Sequence, residues 1–155
     1  LVLDALPAGE RVLDLYAGVG LFALPLARRG DRVTAIEENR AATADGIASL
    51  RLNRIPPDAC RFVTRRVEAA LHAIDPHDAV HAVLDPPRDG CAPAVIDELF
   101  ARIRPSRVVY VSCNPEALAH DLDTIARHGY RAEALQPVDM FPHTAHVETI
   151  AVLTP

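Results

Sequence analysis

Cys113 stands in the stretch VVYVSCNPEAL, where an apolar run stops and a helix is about to begin. Most free cysteines are small buried hydrophobes, so the neighbours must decide its role. Asn114 is a good helix N-cap and Pro115 a favoured first helical residue. The thiol therefore immediately precedes a helix N-terminus, whose partial positive charge stabilises a thiolate. A cysteine that only packs belongs inside the strand. This one closes it, which favours a nucleophile.

A second group of residues shares the same kind of position. The stretch DLYAGVGLFA contains Gly18-x-Gly20-x-x-Ala23, and Glu37 closes the next apolar run at the distance expected for a ribose-binding acid. A nicotinamide cofactor would suit that spacing equally well. Charge separates the two readings. Asp14, Glu37 and Asp85 all fall at strand ends, and the glycine turn carries no cation. A pyrophosphate is repelled there, whereas the cationic sulfonium and ammonium of S-adenosylmethionine are attracted. Asp85 opens DPPRDG, in which two prolines restrict the backbone and hold the carboxylate toward the cleft. Amino-group methyltransferases place an aromatic after a similar pair of prolines. Arg88 occupies that place here, which counts against their chemistry.

Such residues converge only if the strands that carry them are parallel neighbours. Apolar runs predict strands at Arg11–Leu15, Arg32–Glu37, Arg61–Thr64, Ala79–Pro87 and Arg107–Ser112. Helical stretches alternate with them, at Gly20–Gly30, Asn39–Asn53, Val67–Ile74, Pro93–Ile103 and Pro115–His128. Pro25 conflicts with the first of these helices. Two final strands, Arg131–Val138 and Val147–Leu153, have no helix between them and must be antiparallel. The expected fold class is α/β: a mostly parallel seven-stranded sheet with its last strand reversed and helices on both faces, similar to class I methyltransferases. Ligands of such sheets bind beyond the carboxyl ends of the strands.

The stretches LDLYAGVGLFALPLA, DPPRDG, VVYVSCNPEALAHDL and DMFPHTAHVETIAVL occur in this order along nearly the whole chain. Together they resemble the RNA uracil-5-methyltransferases, which make 5-methyluridine in tRNA and rRNA. The resemblance implies that Tyr16, Glu37 and Asp85 contact S-adenosylmethionine while Gly18 and Gly20 shape the cofactor turn. It further implies that Cys113 is the nucleophile and Glu148 the base. The expected topology supports Glu148, because the reversed last strand should lie beside the strand that ends at Cys113. His143 and His146 are rival bases, and Phe141 could stack on a flipped uracil. Leu21, Arg65, Arg66 and Cys91 depart from the residues usual in that family. A cytosine-5 RNA methyltransferase is the alternative enzyme, disfavoured because Arg88 rather than a second cysteine follows Pro87. A cofactor-binding fragment without activity of its own is the other alternative.

Composition bounds these readings. The 155 residues, half of them hydrophobic, suffice for one domain. No stretch reads as a signal peptide or a bilayer span. Three cysteines at unrelated spacings argue for a reducing, cytoplasmic setting rather than a disulfide framework. His72, His77 and His81 lack metal-ligand spacing, so no metal and no membrane partner is expected, and a monomer is. The net charge is −5 with histidine neutral, and the positive side chains are all arginine, with no lysine. An acidic chain grips RNA poorly through net charge alone, so binding requires a local arginine patch or a separate domain. The chain starts at Leu1; it is expected to be a catalytic domain, residues 1–155, that functions with RNA-binding domains upstream.

Overall fold

The computed structural model describes residues 1–140, 142–144 and 147–155, and all but the side chain of Asp78 within those ranges. Seven strands form one sheet in the order β3-β2-β1-β4-β5-β7-β6. They are β1 Arg11–Leu15, β2 Arg32–Glu37, β3 Cys60–Thr64, β4 His81–Leu84, β5 Arg107–Ser112, β6 Arg131–Val138 and β7 Glu148–Thr154. The first five pair in parallel, and β7 runs antiparallel to both β5 and β6. The expected sheet and its reversed last strand are thus present.

The central strands alternate between two cores. Leu13, Leu15, Ala82, Leu84, Val108 and Tyr110 pack on one face with the helices α3 (Val67–Leu71), α4 (Pro93–Ile96) and α5 (Pro115–Arg127). Val12, Ala35, Val83, Val109 and Val111 pack on the other, under α1 (Ala23–Arg28) and α2 (Arg40–Leu52). Near-continuous burial of β1, β4 and β5 is what a doubly covered parallel sheet demands.

Several elements are shorter than the periodicity predicts. Helix α1 begins at Ala23 rather than Gly20, because residues 17–22 are spent on the glycine turn. Pro25 then falls in the first helical turn, where its missing amide has no partner to lose, and the conflict disappears. Strand β4 stops at Leu84 instead of Pro87; the Asp85 amide still reaches the Leu15 carbonyl at 3.3 Å, and the prolines that follow cannot extend the ladder. Helix α3 ends at Leu71 rather than Ile74. The stretch expected as one helix at Pro93–Ile103 is α-helical only to Ile96 and continues as a π-helix over Asp97–Ile103. It ends at Arg104, whose left-handed conformation (φ 55) redirects the chain into β5.

The N-terminal segment is tied down by one ion pair. The buried Asp31 carboxylate accepts the amides of Gly9 (2.7 Å) and Glu10 (3.1 Å) and pairs with Arg29 at 2.8 Å. Arg29 in turn donates to the carbonyls of Leu3 and Leu6. No helix among the described residues is long and apolar enough to cross a membrane.

Candidate active site

The carboxyl ends of β1, β2, β4 and β5 meet one rim. After β1 the chain turns through Tyr16 (φ 63), Gly18 (φ 54) and Gly20 (φ 91). A Cβ on Gly20 would lie 2.2 Å from Leu24 Cδ1 and 2.9 Å from Phe62 Cζ, so both backbone and packing require glycine there. Gly18 instead borders open space. Its amide donates to one Glu37 carboxylate oxygen at 2.9 Å, and the Asn39 amide donates to the other at 2.7 Å. Glu37 thereby locks the turn to the start of α2. An ionised carboxylate has about four acceptor positions, so lone pairs remain for hydroxyls in the cleft.

Asp14 lies beneath this turn, between Ala35 and Val83 in the sheet, and is fully buried. Neither carboxylate oxygen has a hydrogen-bond partner. Burial pushes its pKa up to about 8, with Asp85 and Glu37 adding to the rise against the opposing Ala23 amide. Asp85 is half-buried, and its pKa is raised to about 6 by burial and then by Glu148. These carboxyls crowd together while the neighbouring Arg66 pairs with Glu38 and Glu68, an arrangement a cationic ligand would relieve.

Two cavities open at the rim and share Asp85. The first, about 610 Å³, is bordered by Tyr16, Glu37, Arg66, Asp85, Pro87 and Gly90. The second, about 500 Å³, is bordered by Leu21, Phe22, Asp85, Val138, Met140 and Glu148 and is largely apolar. A group shared by two cavities is where a ligand in one can react with a ligand in the other.

Cys113 is the half-exposed cysteine of the chain, and Cys60 and Cys91 are buried. Burial pushes the thiols of both Cys60 and Cys91 up to about 12, which leaves them inert. Asn114 caps α5 as expected, accepting the amides of Glu116 (3.1 Å) and Ala117 (3.5 Å). In the β5–β7 ladder Ser112 pairs with Thr149. Cys113 directly follows Ser112 and Glu148 directly precedes Thr149, so the antiparallel ladder brings both to the same end of the strand pair. Glu148 is half-buried, and His143 is exposed in a turn with φ 70. His146 and Phe141 lie outside the described residues. No grouping of side chains suited to a metal ion occurs among the described residues.

Sequence reasoning missed the clamp that joins the two motif loops. Asp121 of α5, buried, accepts Tyr110 Oη at 2.5 Å and the Cys91 amide at 2.8 Å. A Cβ on Gly90 would come within 2.7 Å of it. Asn114 adds a bond from its side-chain amide to the Arg88 carbonyl at 3.1 Å. The loop carrying Asp85 is therefore fastened to the helix that starts beside Cys113. The signal was available: Asp121 falls on the apolar stripe of Leu118, Leu122 and Ile125, where a charge must have a partner. Arg66 was noted in the sequence only as a departure; in the structure it borders the first cavity and pairs with Glu38 and Glu68.

Sheet order, a reversed last strand and a glycine turn under an acidic rim define the class I methyltransferase fold. The precorrin-6y C5,15-methyltransferase of Geobacter metallireducens shares this fold, with a TM-score of 0.75 at 15% identity over 97% of this chain and 83% of its own. The family is closer: the profile of the tRNA (Uracil-5-)-methyltransferases matches residues 3–155, and the chain belongs to that family. A 23S rRNA (uracil(1939)-C(5))-methyltransferase of Alkalilimnicola ehrlichii is 43% identical over 153 residues, covering 96% of this chain and 33% of that protein. An RNA methyltransferase of Thermosynechococcus vestitus is 44% identical over 151 residues, covering 96% of this chain and 32% of its own length. The Pyrococcus abyssi tRNA (uracil-54, C5)-methyltransferase, solved with S-adenosyl-L-homocysteine, superposes with a TM-score of 0.84 at 33% identity, covering 99% of this chain and 36% of its own. The chain thus spans about a third of the length of the curated relatives it matches.

Proposed function

We propose that this chain is the catalytic unit of an RNA methyltransferase that transfers a methyl group from S-adenosylmethionine to carbon 5 of a uridine in tRNA or rRNA. The reading is carried by the last β5–β7 pair, Ser112 with Thr149, which brings the adjoining Cys113 and Glu148 to one end of the ladder, where Glu148 shares a cavity with Asp85.

The residues of the first cavity fit S-adenosylmethionine. Glu37 retains acceptors for ribose hydroxyls, Gly18 leaves open space at the turn that Gly20 shapes, and Tyr16 and Asp85 border the same cavity as Glu37. Asp85 and Glu37, which border the cavity, supply negative charge that a sulfonium and an ammonium would satisfy, and a bound cation would favour ionisation of the buried Asp14 beneath them. When bound, the cofactor supplies an electrophilic methyl group.

Carbon 5 of uracil is a weak nucleophile, so the protein must activate it. The Cys113 thiol gives its proton to solvent water, and the thiolate adds to carbon 6. The ring electrons shift toward the 4-oxygen, leaving an enolate whose carbon 5 is nucleophilic. Once carbon 5 carries the methyl group, Glu148 takes the carbon 5 proton. The carbon 6–sulfur bond then breaks and the thiolate departs. The apolar wall of Leu21, Phe22, Val138 and Met140 suits an unstacked base flipped out of its RNA.

The test is nucleoside analysis of RNA lacking 5-methyluridine after incubation with the chain, in the context of its full-length protein, and labelled S-adenosylmethionine. Labelled 5-methyluridine is expected with the native residue and none with Cys113→Ala. Label in 5-methylcytidine would move the assignment to cytosine.

A further inference from the structure

The acidic rim leaves open where RNA is gripped. Arg11, Arg32 and Arg61 stand near the amino ends of β1, β2 and β3, at the end of the sheet opposite the rim. Arg11 and Arg32 are direct register partners, and Arg61 lies beside Thr34, two residues above Arg32. By strand parity with Leu13, Thr34 and Val63, all three side chains project from the same face. That face is open here because α3 is only five residues long. The three arginines line one groove of about 370 Å³ with Thr34, Pro57 and Asp58.

All three side chains are exposed, and none makes a hydrogen bond or ion pair with another described residue. Like charges on directly opposed strand positions destabilise a sheet, so folding gives no reason for the arrangement. Arg32 and Asp58 also border an adjoining groove of about 470 Å³, which adds Arg28 and Arg54. Across both grooves five arginines face Asp58, since Asp31 is already held by Arg29 and two amides. In a chain of net charge −5 this is a concentrated positive patch. Guanidinium forks bind the paired oxygens of phosphates bidentately, and a row of them suits a chain of phosphates.

We propose that the Arg11–Arg32–Arg61 groove binds the phosphate backbone of substrate RNA away from the target uridine. This rests on the RNA-methylating reading above. The groove lies roughly 15 Å from the rim, the length of β1 at about 3.3 Å per residue, so the same RNA can reach both. Repulsion by the acidic rim is thereby offset at a separate place.

The experiment measures binding of the chain to a labelled single-stranded oligouridylate and to a labelled RNA duplex across a salt series. The triple variant Arg11→Gln, Arg32→Gln, Arg61→Gln is compared with a control of equal charge change, Arg51→Gln, Arg127→Gln, Arg131→Gln. Thermal unfolding and S-adenosylhomocysteine binding check that both variants are intact. The groove variant is expected to bind RNA at least tenfold more weakly at low salt, with the slope of log affinity against log salt flatter by about 2. The control should stay near the native protein. Equal losses in both triples would mean that net charge alone matters and would overturn the proposal, as would no loss in either. Polyglutamate bound as tightly as RNA, with the same loss in the groove variant, would reassign the groove to an acidic protein. Formation of 5-methyluridine with an unchanged salt slope in the variant would remove the groove and leave the RNA-methylating reading standing.

Discussion

Ser112 and Thr149 are the last registered pair of the β5–β7 ladder; Cys113 directly follows the one and Glu148 directly precedes the other. The two residues are far apart in sequence. Only the reversal of β7 brings them to one rim, on neighbouring strands.

This geometry predicts different failures for the two residues in the full-length protein. Cys113→Ala should abolish methyl transfer and leave cofactor affinity unchanged, because the thiol acts on the base alone. Glu148→Gln should stall after carbon–sulfur bond formation, leaving RNA attached through Cys113. A denaturation-resistant protein–RNA band on a gel is the expected sign, absent from the double variant. Normal turnover by Glu148→Gln without that band would pass the base role to His143 or His146.

Glu37 holds the glycine turn through the Gly18 amide and the start of α2 through the Asn39 amide. Glu37→Gln retains one acceptor oxygen and loses the charge. S-adenosylhomocysteine affinity measured by calorimetry should fall by about 1–3 kcal/mol, the usual cost of losing a charged hydrogen-bond partner. Unchanged affinity would mean that Glu38 or another group carries the ribose contact.

Asp14 links stability and cofactor binding to pH. Its folded pKa is about 8 against 3.8 for an ordinary aspartate. Between those values the folded chain holds a proton that the unfolded chain has lost, so Asp14 makes stability fall as pH rises from about 4 to about 8. Asp14→Asn should therefore gain on the native protein through that window in chemical denaturation and level off above it. Binding of a cation should draw the carboxyl pKa values down and release protons. Calorimetry at neutral pH in buffers of different ionisation enthalpy should show greater proton release with S-adenosylmethionine than with S-adenosylhomocysteine, which lacks the sulfonium charge. Equal release by the two would exclude Asp14 and Asp85 as the groups that respond to that charge.

The Asp121 clamp should be costly to break. Asp121→Ala strands the Tyr110 hydroxyl and the Cys91 amide in the core, and each orphaned group costs about 1–3 kcal/mol. A lower denaturation midpoint is expected. Tyr110→Phe should cost less in the Asp121→Ala background than in the native protein, because the hydroxyl has already lost its partner. Strictly additive losses would show that the two groups are not coupled.

Much of this protein was determined locally and so was legible in the sequence. Apolar runs located β1, β2, β5 and β6 at their observed bounds and the Asn114 cap located the start of α5, because strand periodicity and capping depend on near neighbours. The glycine turn, the proline-braced Asp85 and the strand-ending Cys113 were likewise visible, since each rests on backbone chemistry within a few residues. The terminal strand pair had to be antiparallel for want of a crossover. Other features belonged to the tertiary structure. The start of α1 depended on how many residues the turn consumed against Leu24 and Phe62. Burial, which no local pattern measures, left Asp14 without a partner and raised its pKa. Asp121 found its partners across 11 and 30 residues of sequence. The arginines at 11, 32 and 61 are unremarkable one by one; parallel pairing stacks them on one face, and a short α3 leaves that face bare. Spacing along the chain determines which groups exist, but pairing between distant strands decides which of them share a cavity and at what charge.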